Sequence, residues 1–135
     1  MKHFTLDAHM TAAIGGAFYP TGHSLVMFPN AEDANRVGHA LIDSCGFAGD
    51  EVYLIPPATV LAEIAPTVKD ADALLPSAGT DGATVRAYTK LAREGHTALL
   101  VKTKDAAAAV RLMEAVRKAP YSIAQRYRTL VIEDL

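Results

Sequence analysis

The chain has 135 residues, half of them hydrophobic and 21% charged, with a formal net charge of −2. That length supports one domain with a real core, and the charge gives no global attraction to nucleic acid or to a membrane surface. Cys45 is the only cysteine, which excludes an intramolecular disulfide and fits a reducing cytoplasm.

Residues 1–22 read as an N-terminal arm. Leu6 to Ile14 has the makings of one or two helical turns, Gly15-Gly16 breaks them, and Pro20-Thr21-Gly22 reads as a turn. Asp7 and His9 interrupt any apolar leader, so no signal peptide is expected. No stretch approaches the roughly 20 apolar residues that a membrane span requires.

Ser24 to Phe28 (SLVMF) is an unbroken apolar run, and such a run predicts a strand covered on both faces. Pro29 ends it and Asn30 caps a helix, with Asp33 three residues on in an approximate capping box. Ala34, Val37, Leu41 and Cys45 keep the helical period and Gly46 is the expected stop. Cys45 falls on that buried stripe, so it reads as a packed thiol rather than a nucleophile. Glu51 to Ile55 is a short strand closed by Pro56-Pro57.

An interruption follows, over residues 57–94. Ala58 to Ala65 predicts a short helix with Val60, Leu61 and Ile64 inward. Residues 66–80 read as a linker, with Leu74 and Leu75 before Pro76. A helix capped by Thr80 or Asp81 then runs to Glu94, burying Val85, Tyr88, Leu91 and Ala92 and leaving Arg86, Lys90 and Arg93 on the solvent side. His96 to Lys102 is the second unbroken strand. Thr103 or Asp105 caps the helix that carries Ala109, Leu112, Met113 and Val116, and Pro120 ends it. Tyr121 to Glu133 reads as one long final strand, bulged near Arg128 where arginines give way to aliphatics.

The order is β-α-β, an insertion, then β-α-β. It predicts an α+β, ferredoxin-like βαββαβ sandwich over residues 23–135 with a helical insertion between strands 2 and 3. Strand order 4-1-3-2 makes the two unbroken strands central. Right-handed crossovers put both main helices on one face. The other face then carries several hundred Å² of apolar surface that a monomer rarely exposes. The insertion is expected to cover part of it, and a homodimer through the sheet face or edge strands the rest.

The run GHSLVMFPNAEDANRVGHALIDSCGF, with REGHTALLVKT after the insertion, resembles the small bacterial domains described as general-stress or heat-induced-stress proteins. The likeness spans roughly residues 24 to 133 and rests on apolar and glycine positions. Gly95-His96 stands where a paired glycine is common in that family. The resemblance implies a stress-associated, non-catalytic domain, and it supplies no catalytic residues.

Motifs for catalysis are missing. There is no P-loop, HExxH or GxSxG. The loop Phe28-Pro29-Asn30-Ala31 lacks both the CxxC of metal chaperones and the arginine of an acylphosphatase anion loop, and HTALLVKT has no base-stacking aromatic. The five histidines form no i, i+4 pair, so no metal site and no cofactor are expected. His23 and His96 each begin a central strand, and their positions predict opposite ends of the sheet. Two ligand candidates remain. One is the small-residue opening of the second insertion helix, Gly79, Thr80 and Gly82 with Arg86, where backbone N–H groups can hold an anion although Asp81 opposes it. The other is Arg126 with Arg128, two positions apart on one strand face and suited to a carboxylate or phosphate.

Three functional readings follow. The first is a non-enzymatic, stress-associated or regulatory cytoplasmic homodimer without nucleic-acid or membrane partners. The second is a sensor for an anionic metabolite or nucleotide. The third is a dimeric α+β-barrel enzyme with its pocket on the second sheet face.

Overall fold

The computed structural model describes residues 1–13, 15–68 and 79–135, with Gly79 and Thr80 described by their backbone alone. Ile14 and most of the sequence-predicted linker 66–80, including Leu74 and Leu75, lie outside the described residues. The fold is mixed α+β around one six-stranded sheet in the order β1-β3-β4-β2-β5-β6. The strands are β1 (Lys2–His3), β2 (His23–Phe28), β3 (Val52–Ile55), β4 (Thr97–Lys102), β5 (Ile123–Tyr127) and β6 (Ile132–Asp134). β1 runs parallel to β3, and every other pairing is antiparallel.

The two unbroken runs, β2 and β4, are the central strands. They pair from His23↔Lys102 to Phe28↔Thr97. Side chains alternate across a strand, so Val26, Phe28, Leu99 and Val101 point to one face, and Leu25, Met27, Ala98 and Leu100 to the other. All eight are at most 1% exposed.

The first face is covered by α1 (Ala31–Ser44) and α4 (Ala106–Val116). Both begin as their sequences dictate. The Asn30 side chain accepts from the Glu32 N–H at 2.8 Å, and Asp105 accepts from the Ala108 N–H at 2.8 Å. Each thereby satisfies a backbone donor that the first helical turn leaves free. Ala34, Val37 and Leu41 from α1 meet Ala108, Leu112, Met113 and Val116 from α4 over the sheet.

The second face is covered within the same chain. α3 (Gly79–Arg93) lays Val85, Tyr88 and Ala92 on it, joined by Val60 and Ile64 from the helical turns after α2 (Pro57–Thr59). The N-terminal segment supplies the remainder: Phe4, Met10 and Phe18 are buried in the same cluster. Phe4 and Phe18 pack edge-to-face with ring centroids 6.1 Å apart. β1 adds a strand beside β3, and Met1 packs over Gly38 of α1, where a Cβ would run into the methionine sulfur and press on Leu99.

One sequence expectation is corrected. The long final strand from Tyr121 to Glu133 is a hairpin. β5 ends at Tyr127, Thr129 and Leu130 form the turn, and β6 returns with Arg126 opposite Glu133. The Arg128 N–H closes the turn on the Val131 carbonyl at 2.8 Å. Two-residue hairpin turns usually advertise themselves with glycine or asparagine at positive φ. Neither Thr129 nor Leu130 has positive φ, and the turn carries no such mark in the sequence.

Candidate functional site

One end of the sheet gathers the start of β2, the end of β4 and the end of β5. Gly22 organises it. The turn Pro20–His23 closes with the His23 N–H donating to the Pro20 carbonyl at 3.0 Å, and Gly22 sits at φ 81°. Only glycine adopts that conformation without strain. Its N–H donates to the Tyr127 carbonyl and its carbonyl accepts from the Thr103 N–H, both at 2.9 Å. The turn thus pins the ends of β5 and β4 together. Beneath it the buried hydroxyls of Ser24 and Thr103 share a 2.7 Å hydrogen bond.

Three cations follow from this arrangement. Lys104 leaves β4 just before the Asp105 cap, Arg126 lies on β5 opposite Ser24, and Arg128 opens the hairpin turn. They line one cleft of about 420 Å³ with Thr21, Gly22, Thr129, Leu130 and Val131. Arg128 is held weakly, its guanidinium 3.5 Å from Glu133 Oε2. Among the described residues Lys104 and Arg126 make no ion pair. A protein of net charge −2 therefore concentrates positive charge at one strand end.

A second cleft of about 420 Å³ adjoins the first and shares Thr21, Thr129 and Leu130 with it. His9, Thr11, Tyr19 and Asp81 complete its walls. Tyr19 braces the boundary, since its hydroxyl donates to the Arg128 carbonyl at 2.6 Å and its ring meets Tyr127 edge-on at 4.9 Å. Partial burial, and then the negative charge of Asp81, hold the Tyr19 phenol above its ordinary range. Behind it the Tyr88 hydroxyl donates to Gln125 Oε1 at 2.8 Å and lies 2.9 Å from the Tyr127 hydroxyl. Burial raises both phenols, Tyr88 well above the ordinary value, so both stay neutral.

The structure brings Arg126 and Arg128 to one cleft. Gly82 and Arg86 do not join them there. Gly79 opens α3, Gly82 is buried in its first turn, and Arg86 is exposed on its outer side. Neither Gly82 nor Arg86 lines either cleft, and the surroundings of Gly79 and Thr80 lie outside what is described. Their neighbour Asp81 does line one, as the acidic wall of the second cleft. Sequence reasoning missed Lys104. The predicted order already puts the strands now labelled β4 and β5 on either side of β2, so their C-terminal ends must lie together, and that topology was the available signal. His23 and His96 do fall at opposite ends of the β2–β4 pair, and His96 Nδ1 is 2.5 Å from the Ser122 hydroxyl at an exposed position. Among the described residues no group of histidine, cysteine and carboxylate side chains could hold a metal, and no helix is long and apolar enough to cross a membrane. No known protein family, no curated protein and no solved structure matches the chain.

Proposed function

We propose that the protein is a non-enzymatic regulatory module that binds a small anionic metabolite at Lys104, Arg126 and Arg128. The observation that carries this reading is the convergence of three cations on one cleft in a chain of net negative charge. Arginine forks match carboxylate or phosphate oxygens in a bidentate way. We further read the four strands β3-β4-β2-β5, with α1 and α4 on one face, as a ferredoxin-like core. Here β1, β6 and the second-face layer are additions to it. A barrel-type enzyme is disfavoured because the second face is packed with Val85, Tyr88, Ile64 and Phe18. A stress-associated role belongs to the same proposal. So does a homodimer, which would have to use a sheet edge such as β6, beside Leu130 (92% exposed) and Val131. Light scattering that reads a monomer at micromolar concentration counts against the dimer.

Thermal unfolding with phosphate, pyrophosphate and citrate tests the binding. A ligand at about 100 times its Kd stabilises by roughly 2.7 kcal/mol. The shift is expected to fade with added salt and to vanish in the Lys104→Gln/Arg126→Gln double variant. No shift with any anion, or a shift that the double variant keeps, sinks the proposal.

A further inference from the structure

The two adjoining clefts differ in chemistry while sharing a wall, and that pairing selects a ligand class. The first is basic, through Lys104, Arg126 and Arg128. The second is lined by Asp81, with His9, Thr11 and Tyr19. Thr21 and Thr129 face both. A simple oxyanion uses only the first cleft. A molecule anionic at both ends is repelled by Asp81 in the second. The molecule that gains from both has a strongly acidic group at one end and hydrogen-bond donors at the other. A carboxylate is acceptor-only when ionised, so it rewards hydroxyl groups. Two neighbouring hydroxyls suit its two oxygens best. Each cleft alone falls within the range of small-molecule sites, about 300–1,000 Å³, and together they have room for a ligand longer than phosphate.

From this we infer that the groove takes a phosphomonoester bearing a vicinal diol, with the phosphate on the three cations and the diol on Asp81. The inference rests on the basic cleft proposed above as the anion site and extends it to the rest of the ligand. Tyr19 is the hinge of the arrangement. Its hydroxyl fixes the Arg128 backbone on the basic side and the residue lines the acidic side, so the two halves keep a fixed spacing. A sugar phosphate and a nucleotide both carry this chemistry, and they differ in whether a base adds contacts.

Isothermal titration of the full chain with inorganic phosphate, ribose 5-phosphate and adenosine 5′-monophosphate separates the outcomes. Ribose 5-phosphate is expected to bind at least about tenfold tighter than phosphate, roughly 1.4 kcal/mol. Asp81→Asn should erase that advantage without weakening phosphate binding. His9→Ala, at an exposed position, should weaken the ribose ester and spare phosphate, which keeps the test open if Asp81→Asn folds poorly. Tighter binding of the adenosine ester than of ribose 5-phosphate assigns the groove to nucleotides, and equal binding assigns it to sugar phosphates. Equal affinity for phosphate and ribose 5-phosphate overturns the inference while leaving the basic cleft as the anion site. Failure of all three ligands to bind overturns both.

Discussion

The two faces of the sheet are built by different rules. The α1/α4 face is mostly aliphatic, with Phe28 and Phe47 among its side chains, and is assembled from helices that directly follow their strands. Leu41 and Leu112 meet Val26, Leu99 and Val101 there. The opposite face is aromatic and partly polar, and three separate stretches of chain build it: the N-terminal segment, the turns after α2, and α3. Phe4, Phe18, Tyr127 and Tyr19, in that order, make successive edge-to-face contacts 4.9–6.1 Å apart. Tyr88, Tyr127 and Gln125 are hydrogen-bonded within it. The first face is filled mainly by volume, with one buried hydroxyl pair, Ser24 and Thr103, at the end of its central strands. The second depends more on geometry, because its network of hydroxyls must stay paired in an apolar setting. The second cleft opens beside that face with Tyr19 in its wall, while Arg126 of the basic cleft lies on the α1/α4 side with Ala124.

Removing a large side chain from each face tests the comparison most strongly. Leu112→Ala is expected to cost about 2–5 kcal/mol, and Phe18→Ala about 3–5 kcal/mol. Both side chains are 0% exposed. Urea denaturation followed by circular dichroism reads both. The informative member is Phe18, since it sits in the N-terminal segment. A loss below about 1 kcal/mol there would mean that this segment lies on the sheet without joining its cooperative unit.

The same contrast explains what the sequence could show. The β2 and β4 runs, the Asn30 and Asp105 caps and the stripes of α1 and α4 are local patterns, and the strands and helices they predict appear where expected. The insertion's cover of the second face followed from the need to bury Leu25, Met27 and Leu100. Phe4, Phe18 and Tyr19 are apolar enough to pack on the domain or on a partner, but the sequence does not choose between the two and does not mark Met10, because no period links them to the sheet. Their burial is decided by contacts spanning the chain, such as the Phe18 N–H donating to Thr67 Oγ1 at 2.9 Å. The hairpin at Thr129-Leu130 was hidden by its lack of a turn residue. The candidate clefts were half legible. Arg126 and Arg128 showed by spacing, while Lys104 in the basic cleft and Asp81 in the second are placed only through topology.

The buried phenols supply a smaller effect with a sign. Tyr88→Phe should destabilise by about 1–3 kcal/mol, since it leaves Gln125 and Tyr127 short of a partner. Both phenols titrate higher in the folded protein than in the unfolded chain. Their contribution is therefore complete below the unfolded phenol pKa of about 10 and is lost as the pH rises past it towards the folded value. Wild type should weaken above pH ~10, and Tyr88→Phe should flatten that slope. An equal slope in both proteins would separate Tyr88 from the alkaline transition.

The smallest stability effect joins the β5–β6 hairpin to the basic cleft. Arg128 and Glu133 are 58% and 39% exposed, and their contact is 3.5 Å long. An exposed pair of that kind is worth about 0–1 kcal/mol, so Glu133→Gln should barely move the unfolding midpoint. Its effect on binding should be larger than its effect on folding. The carboxylate competes with any anion for Arg128, and it lies across the β5–β6 ladder from Arg126. Removing its charge frees one guanidinium and raises the potential around the other. Pyrophosphate affinity should rise a few-fold at low salt, with the gain shrinking as ionic strength increases. A fall in affinity would mean that Glu133 holds Arg128 in its binding position, and the hairpin would then act as a support for the site as well as a wall.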